Sequence, residues 1–380
     1  MLTALALLTL AIWLGLAFFW HGFWRADVYL PEDAPAPPQW PAVTALVPAR
    51  NEAATIAFSV ASLMAQDYPG AFDIVVVNDN SEDDTREVAL AEADGSPAVR
   101  VVDARPLPAG WAGKLWALNE AAAAAGKPDF YWLTDADIVH RRAVLAGLVA
   151  AAESGRLDLA SELVRLRCQT IWEKLLVPAY NFYFALIYPF RAIADPASRI
   201  AGAAGGSVLV RRSRIEAIGG FGAIRGAVID DCALAKAVKQ AGGRLALGLA
   251  RNSHSLRSYD ALGDFWAMVK RSAYSQLGFS PLLLAGTLAG LLVTFAGPPL
   301  IAAAGLAGGN LVAALAAGLA FFVMWWTYRP SVGHFGLSPA WALALPAASL
   351  LYGAMTVSSA FSYHCGRDNR WRGRNIITKR

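Results

Sequence analysis

From Val43 to about Ala250 the chain alternates short apolar runs with segments whose apolar residues recur at helical spacing. Val43–Val47, Ile74–Val77, Val99–Val102, Phe130–Thr134, Ser207–Val210 and Arg244–Ala250 read as buried strands. Between the first two, Ile56, Val60, Leu63 and Met64 fall on one helical face, with a stop expected near Tyr68-Pro69. A second helix begins at Thr85, and an alanine-rich third opens at Trp111-Ala-Gly-Lys114. Strands alternating with helices predict a mostly parallel sheet covered on both faces, with ligands bound beyond the carboxyl ends of its strands.

Outside this region the polar positions disappear. Leu2–Trp24 carries no Asp, Glu, Lys or Arg, and Leu282–Leu306, Leu311–Tyr328 and Ala340–Phe361 are uncharged as well. Each is close to the roughly 20 residues that cross a bilayer. Pro31, Pro35, Pro37, Pro38 and Pro41 form a stiff linker after the first run. The expected organisation is therefore an anchor at 1–24, a linker at 25–41, an α/β domain at 42–255, an amphipathic interfacial segment at 256–280, membrane segments at 281–363 and a basic tail at 364–380. Within the domain, residues 171–190 repeat apolar and aromatic side chains at helical spacing, interrupted by Pro178 and Pro189. That stretch predicts either a core helix or a pair of short helices in the membrane interface.

Arg25, directly after the anchor, places the N-terminus outside and the domain in the cytoplasm. The tail, with Arg367, Arg370, Arg372, Arg374, Lys379 and Arg380 against Asp368, favours the cytoplasm too. One span before the domain and three after would put that tail outside. The charge bias favours instead a C-terminal run that is re-entrant or split at Pro298-Pro299 or Pro346.

Composition agrees with a membrane protein: 380 residues, 56% of them hydrophobic, and mean hydropathy +0.40. The formal charge of +4 comes without a dense basic run in the middle of the chain, which argues against nucleic-acid binding. Cys168, Cys232 and Cys365 are too scattered for a zinc site or a disulfide framework.

The chemistry concentrates after the strands. Phe130–Thr134 runs straight into Asp135-Ala-Asp137, and in extended backbone residues i and i+2 face the same way. Two carboxylates so placed repel unless a cation joins them, and hard oxygens suit Mg2+ or Mn2+. Glu52 and Asp79 also follow predicted strands, so one crevice would collect all four acids. Gly205 and Gly206 allow close backbone approach to a ligand. Asp230 and Asp231 head a predicted helix, where capping explains one carboxylate and leaves the other free to take a proton. His254 reads as a surface or structural histidine, and no Gly-x-Gly-x-x-Gly follows the first strand, which disfavours a dehydrogenase.

Pro48-Ala-Arg-Asn-Glu52, Val77-Asn-Asp-Asn-Ser-Glu-Asp83, Asp135-Ala-Asp137 and Ile229-Asp-Asp231, in this order, resemble family 2 of the glycosyltransferases over about Val43 to Ala250. The hydrophobic flanks are similar to the membrane-bound, lipid-glycosylating branch, which includes ceramide glucosyltransferases. Trp111–Lys114, Tyr180–Pro189 and Lys270–Leu277 resemble bacterial glycosyltransferases associated with hopanoid biosynthesis. The resemblance implies a GT-A (Rossmann-like) fold, a nucleotide-diphosphate sugar donor, a lipid acceptor, Mg2+ or Mn2+ as cofactor, and a place in the bacterial cytoplasmic membrane. It assigns Pro48, Asn51, Glu52, Asp79, Ser81, Lys114 and Asp135 to the nucleotide, with Asp79 on a uracil-type base. Asp137, with Asp135, takes the metal, and Asp231 is the catalytic base. Gly205, Gly206, Asp230 and Arg271 fall to the acceptor or to support. Asn78 departs from the acid usual before Asp79, and Lys270, Arg271 and Tyr274, in the neighbourhood expected for the Gln/Arg-x-x-Arg-Trp box, do not match it.

A polyprenyl-phosphate or polysaccharide glycosyltransferase would share this chemistry, but the membrane runs carry almost none of the polar residues a polymer pore needs. A transporter or non-catalytic scaffold would place ionisable residues within those runs, and the sequence does not.

Overall fold

A computed structural model describes residues 1–31 and 33–366, with the backbone of Arg370, Trp371, Arg374 and Asn375. The basic side chains of the tail, whose membrane side was inferred above, lie outside the described residues. The chain forms two compact units: Met1–Ala26, Cys168–Arg191 and Tyr259–Asn369 make one, and Asp27–Arg167, Ala192–Ser258 and Arg370–Arg380 the other.

The second unit is built on an eight-stranded sheet. Its strands are β1 (Val43–Ala49), β2 (Phe72–Asn78), β3 (Val99–Asp103), β4 (Phe130–Leu133), β5 (Ile138–His140), β6 (Leu159–Arg165), β7 (Val208–Arg211) and β8 (Leu245–Ser255), in the order β3-β2-β1-β4-β7-β6-β8-β5. Every residue of β1 is buried, as a central strand covered on both faces requires. β3, β2, β1 and β4 run parallel, and β7 returns antiparallel to β4. β6 pairs antiparallel with β7 and parallel with β8. This is the mostly parallel, curled sheet of the GT-A fold.

The register brings distant sequence to one edge. β1, β2 and β4 deliver residues 50–52, 79–81 and 134–137 there, because parallel neighbours end together. Val208, the first residue of β7, stands opposite Leu133, the last of β4, so Gly205-Gly206 arrives at that edge from the other direction. Ser255 closes β8 opposite Ile138. The hydrophobic side of this arrangement is a core containing Val47, Ile56, Val60, Ile74, Val76, Phe130, Trp132, Leu145 and Leu209, all at most 1% exposed.

Several expected boundaries shift. The last strand continues five residues beyond Ala250 to Ser255, so His254 lies within β8, exposed, between the buried Ser253 and Ser255. β5 and β6 were not anticipated; β5 has only three residues, too few for a periodic signal.

Among the described residues of the other unit four helical segments are long and apolar enough to cross a membrane: Leu2–Phe19, Pro281–Ala307, Leu311–His334 and Pro339–His364. Pro281–Ala307 is not split at Pro298-Pro299. It passes through a π-helical turn at Leu292–Ala296, where the Thr294 carbonyl accepts a 2.7 Å hydrogen bond from the Trp13 indole. A Cβ on Gly305 would lie 2.7 Å from the Ala314 backbone nitrogen, so glycine there permits close helix packing.

Ile171–Ile187 is one helix, not a pair: Pro178 sits inside it, and Tyr188 and Pro189 separate it from the short helix Phe190–Ala194. A capping box fixes its start, the Thr170 hydroxyl accepting from the Glu173 amide while the Glu173 carboxylate accepts from Thr170. Glu173 is fully buried and also accepts from the backbone N–H groups of Gln169 and Tyr259. Phe182 packs edge-on against Tyr328, and the Tyr352 hydroxyl donates to the Leu176 carbonyl, so this helix is knitted into the apolar unit.

Candidate active site

The centre of the sheet edge is a narrow cleft lined by Pro48, Lys114, Thr134, Asp135, Gly205, Asp230 and Asp231 over an apolar floor that includes Leu115, Leu133 and Leu234. Lys114 comes from the first turn of helix Gly113–Ala124, and Asp230 and Asp231 begin helix Asp230–Gln240. The Lys114 ammonium lies 2.8 Å from Asp135 Oδ1 and 3.2 Å from Asp230 Oδ2. Burial alone would depress the Lys114 pKa, but Asp135, Asp230 and Asp231 outweigh it and hold the ammonium above its ordinary value. It is a fixed positive charge.

Asp231 is held by backbone. Its Oδ2 accepts from the Gly205 amide and its Oδ1 from the Cys232 amide, each at 2.7 Å. Burial and the neighbouring Asp230 charge push its pKa up to about 6, against the opposing pull of Lys114. A carboxylate that retains affinity for a proton near neutrality, and whose orientation is fixed, is suited to general-base work. Gly205 separates these charges: a Cβ there would lie 3.0 Å from Lys114 Nζ and 3.3 Å from Asp231 Oδ2.

Asp137 belongs to a neighbouring cluster. Its Oδ2 accepts from Ser255 at 3.0 Å and from Arg257 Nε at 3.1 Å, while Arg257 Nη2 donates to Glu52 Oε1 at 2.9 Å. Glu52 and Asp137 are each 8% exposed. Asp135 and Asp137 thus have different cations as partners, a lysine for one and an arginine for the other. Among the described residues no three His, Cys, Asp or Glu side chains gather closely enough to hold a metal by themselves. The donor set still fits a divalent ion of the Mg2+ type, which takes one or two carboxylates and fills its shell with water and substrate phosphate oxygens.

The loops after β1 and β2 lock each other. Asn51 and Asn80 adopt positive φ, at 53° and 50°, a region asparagine tolerates better than most residues. The Ser81 hydroxyl accepts from the Asn51 amide, and Asn51 Oδ1 accepts from the Glu82 amide. Arg50, 4% exposed, donates to the carbonyls of Asp79 and Asn80. The Asp79 side chain is completely buried, and neither it nor Glu52, Asn51 or Ser81 lines the cleft around Lys114. Gly206 adjoins the cleft through its carbonyl, which accepts from the buried Thr134 hydroxyl. His140 contacts that same hydroxyl and Ser253, and burial drives its pKa down to about 3, so it is a neutral support under the Asp135 turn. Arg271 lies on helix Leu262–Gln276 in the other unit.

Sequence reasoning brought forward Lys114, Asp135, Asp230, Asp231 and Gly205, which the fold places together. It missed Arg257, Ser255 and Arg50. The signal for Arg257 was its position just beyond the last strand, the same position that singled out the acids, but the shorter strand expected there hid it.

A family model described as glycosyl transferase family 21 matches residues 3–379, where the motifs by themselves resemble family 2. A mannosyltransferase from Pyrobaculum calidifontis, solved in complex with GDP-Man and Mn2+, is similar at 24% identity, covering 92% of this chain and 99% of that one with a TM-score of 0.58. Glucosyl-3-phosphoglycerate synthase from Mycobacterium tuberculosis, in complex with Mn2+ and UDP-glucose, matches at 20% identity over 63% of this chain and 79% of that one, with a TM-score of 0.39. No curated protein sequence matches significantly.

Proposed function

The chain belongs to glycosyl transferase family 21, and from that premise we propose a membrane-associated, inverting transferase that moves a sugar from a nucleotide-diphosphate donor to a lipid hydroxyl. The observation that carries the reading is Asp231, held by two backbone amides beside the Lys114–Asp135 pair at the carboxyl edge of the sheet. As the acceptor oxygen attacks the anomeric carbon, Asp231 takes its proton. The new C–O bond forms while the bond from that carbon to the phosphate oxygen breaks, so the configuration inverts. A positioned base of this kind contributes on the order of 10²- to 10⁴-fold.

Lys114 keeps the pocket from accumulating the uncompensated charge of three carboxylates, and its ammonium offers a donor to the departing phosphate. Asp137, with Asp135, would hold Mg2+ or Mn2+. When bound, such an ion neutralises the charge that develops on the leaving diphosphate. Pro48, Asn51, Glu52, Asp79 and Ser81 would shape the nucleotide end, Asn51 and Ser81 by keeping the two loops in register. Because the Asp79 carboxylate is sealed from solvent, a base would reach it only after the loop at 79–83 shifts.

Four helices of membrane-crossing length support a lipid acceptor, since a bilayer substrate requires no journey through water. A hopanoid is the acceptor favoured by the Trp111–Lys114, Tyr180–Pro189 and Lys270–Leu277 segments, and a bacterial cytoplasmic membrane is the setting that follows. The test is incubation of purified protein with UDP- and GDP-sugars, Mg2+ or Mn2+, and extracted bacterial lipids, read by mass spectrometry. A lipid gaining one hexose mass with stoichiometric nucleotide release supports the reading; nucleotide release only to water, or none, rejects it.

A further inference from the structure

Arg257 spans two buried acids that come from opposite ends of the sheet-edge sequence, Glu52 after β1 and Asp137 after β4. The three side chains carry one net negative charge between them, and the arginine side chain is more exposed than either of its buried partners. Buried carboxylates tolerate such confinement only while a cation accompanies them. A divalent ion approaching Asp137 therefore meets a resident positive charge about 3 Å from the carboxylate oxygen it needs. An anion is the natural recipient for a displaced guanidinium, and a diphosphate is a bidentate match for its planar fork.

We propose that Arg257 couples cation binding to donor binding: it guards Asp137 against a bare divalent ion and passes to the diphosphate when donor and ion arrive together. The inference rests on the glycosyl-transfer reading of the site. It makes Arg257 a positioning residue for the cation and a direct contact for the diphosphate.

The two halves of this role respond to mutation with opposite signs, which a merely structural arginine would not do. Full-length protein in detergent is titrated with Mn2+ alone, followed by electron paramagnetic resonance, and with UDP and GDP in excess Mn2+, followed by calorimetry. Arg257→Gln is expected to bind Mn2+ alone about tenfold more tightly than wild type and to bind the nucleotide about tenfold more weakly, within the usual range of site coupling. Loss or preservation of both affinities together overturns the proposal. Arg257→Lys, which keeps the charge but loses the fork, covers the case in which the glutamine variant fails to fold. It should leave Mn2+ affinity unchanged and weaken the nucleotide, and wild-type nucleotide affinity in that variant overturns the proposal too. Failure of the wild type to bind either nucleotide in excess Mn2+ is a different result: it removes the glycosyl-transfer reading, and this inference falls with it.

Discussion

The Lys114 ammonium stands 2.8 Å from Asp135 Oδ1, joining the first turn of a helix to the loop that leaves β4. Because Lys114 also reaches Asp230, this one side chain sets the charge of the whole cleft. Lys114→Met should lower kcat by roughly 10²-fold, the scale of losing one preorganised electrostatic contact. It should also move the acid limb of the pH profile upward, since Lys114 pulls the Asp231 pKa down. A fall in kcat without that shift would detach Lys114 from Asp231.

The pH profile itself follows from Asp231. Its pKa is raised, so the proton is retained higher than in an ordinary carboxylate and the basic form is lost as pH falls through about 6. The expected kcat/KM climbs about tenfold per pH unit below that point and levels above it. Asp231→Asn should abolish transfer while nucleotide binding, measured by calorimetry, persists. Full turnover by that variant would end the assignment.

Gly205→Ala tests spacing without removing any functional group. The added methyl would sit 3.0 Å from Lys114 Nζ and 3.3 Å from Asp231 Oδ2, and the lysine terminus is the part able to yield. Activity should drop by about tenfold, corresponding to about 1.4 kcal/mol of transition-state stabilisation, with the thermal midpoint nearly unchanged. A large loss of midpoint would mean that the glycine serves the fold instead.

Acid stability separates His140 from Asp231. His140 is held neutral, with its pKa lowered from 6.5 to about 3, so its contribution is complete above pH 6.5 and is lost as pH falls toward 3. Asp231 works the other way: raised from 3.8 to about 6, its protonation favours the folded state as pH falls through that window. Between about pH 6 and 4 the two oppose each other. Thermal melting across this range should decline more steeply in Asp231→Asn than in wild type, and equal slopes would contradict the pairing.

In the apolar unit, Glu173→Ala removes a fully buried carboxylate that accepts from the backbone at Gln169, Thr170 and Tyr259. The stranded donors should cost about 2–4 kcal/mol, read as a lower thermal midpoint in detergent. Sheet-edge binding of nucleotide at low temperature should be unaffected.

What the chain's own order of residues determined was the alternation of buried strands and helices, the apolar terminal runs, and the placing of Glu52, Asp79, Asp135 and Asp137 after strands. These are local properties, carried by side-chain period and by the residue types that a strand end permits. Partnership was not local. Lys114 meets Asp135 and Asp230 across 21 and 116 positions of sequence, and Arg257 meets Glu52 across 205. Only the register of β4 on β1 and β7, and of β8 on β5, fixes which charges come within hydrogen-bond reach. The same limit applied to Pro178, which reads as a break until a surrounding unit holds its helix together, and to Asp79, whose burial no motif reveals. Spacing in sequence sets which way a side chain points; the Coulomb energy that decides its role depends on distance in space, and distance is set by the fold.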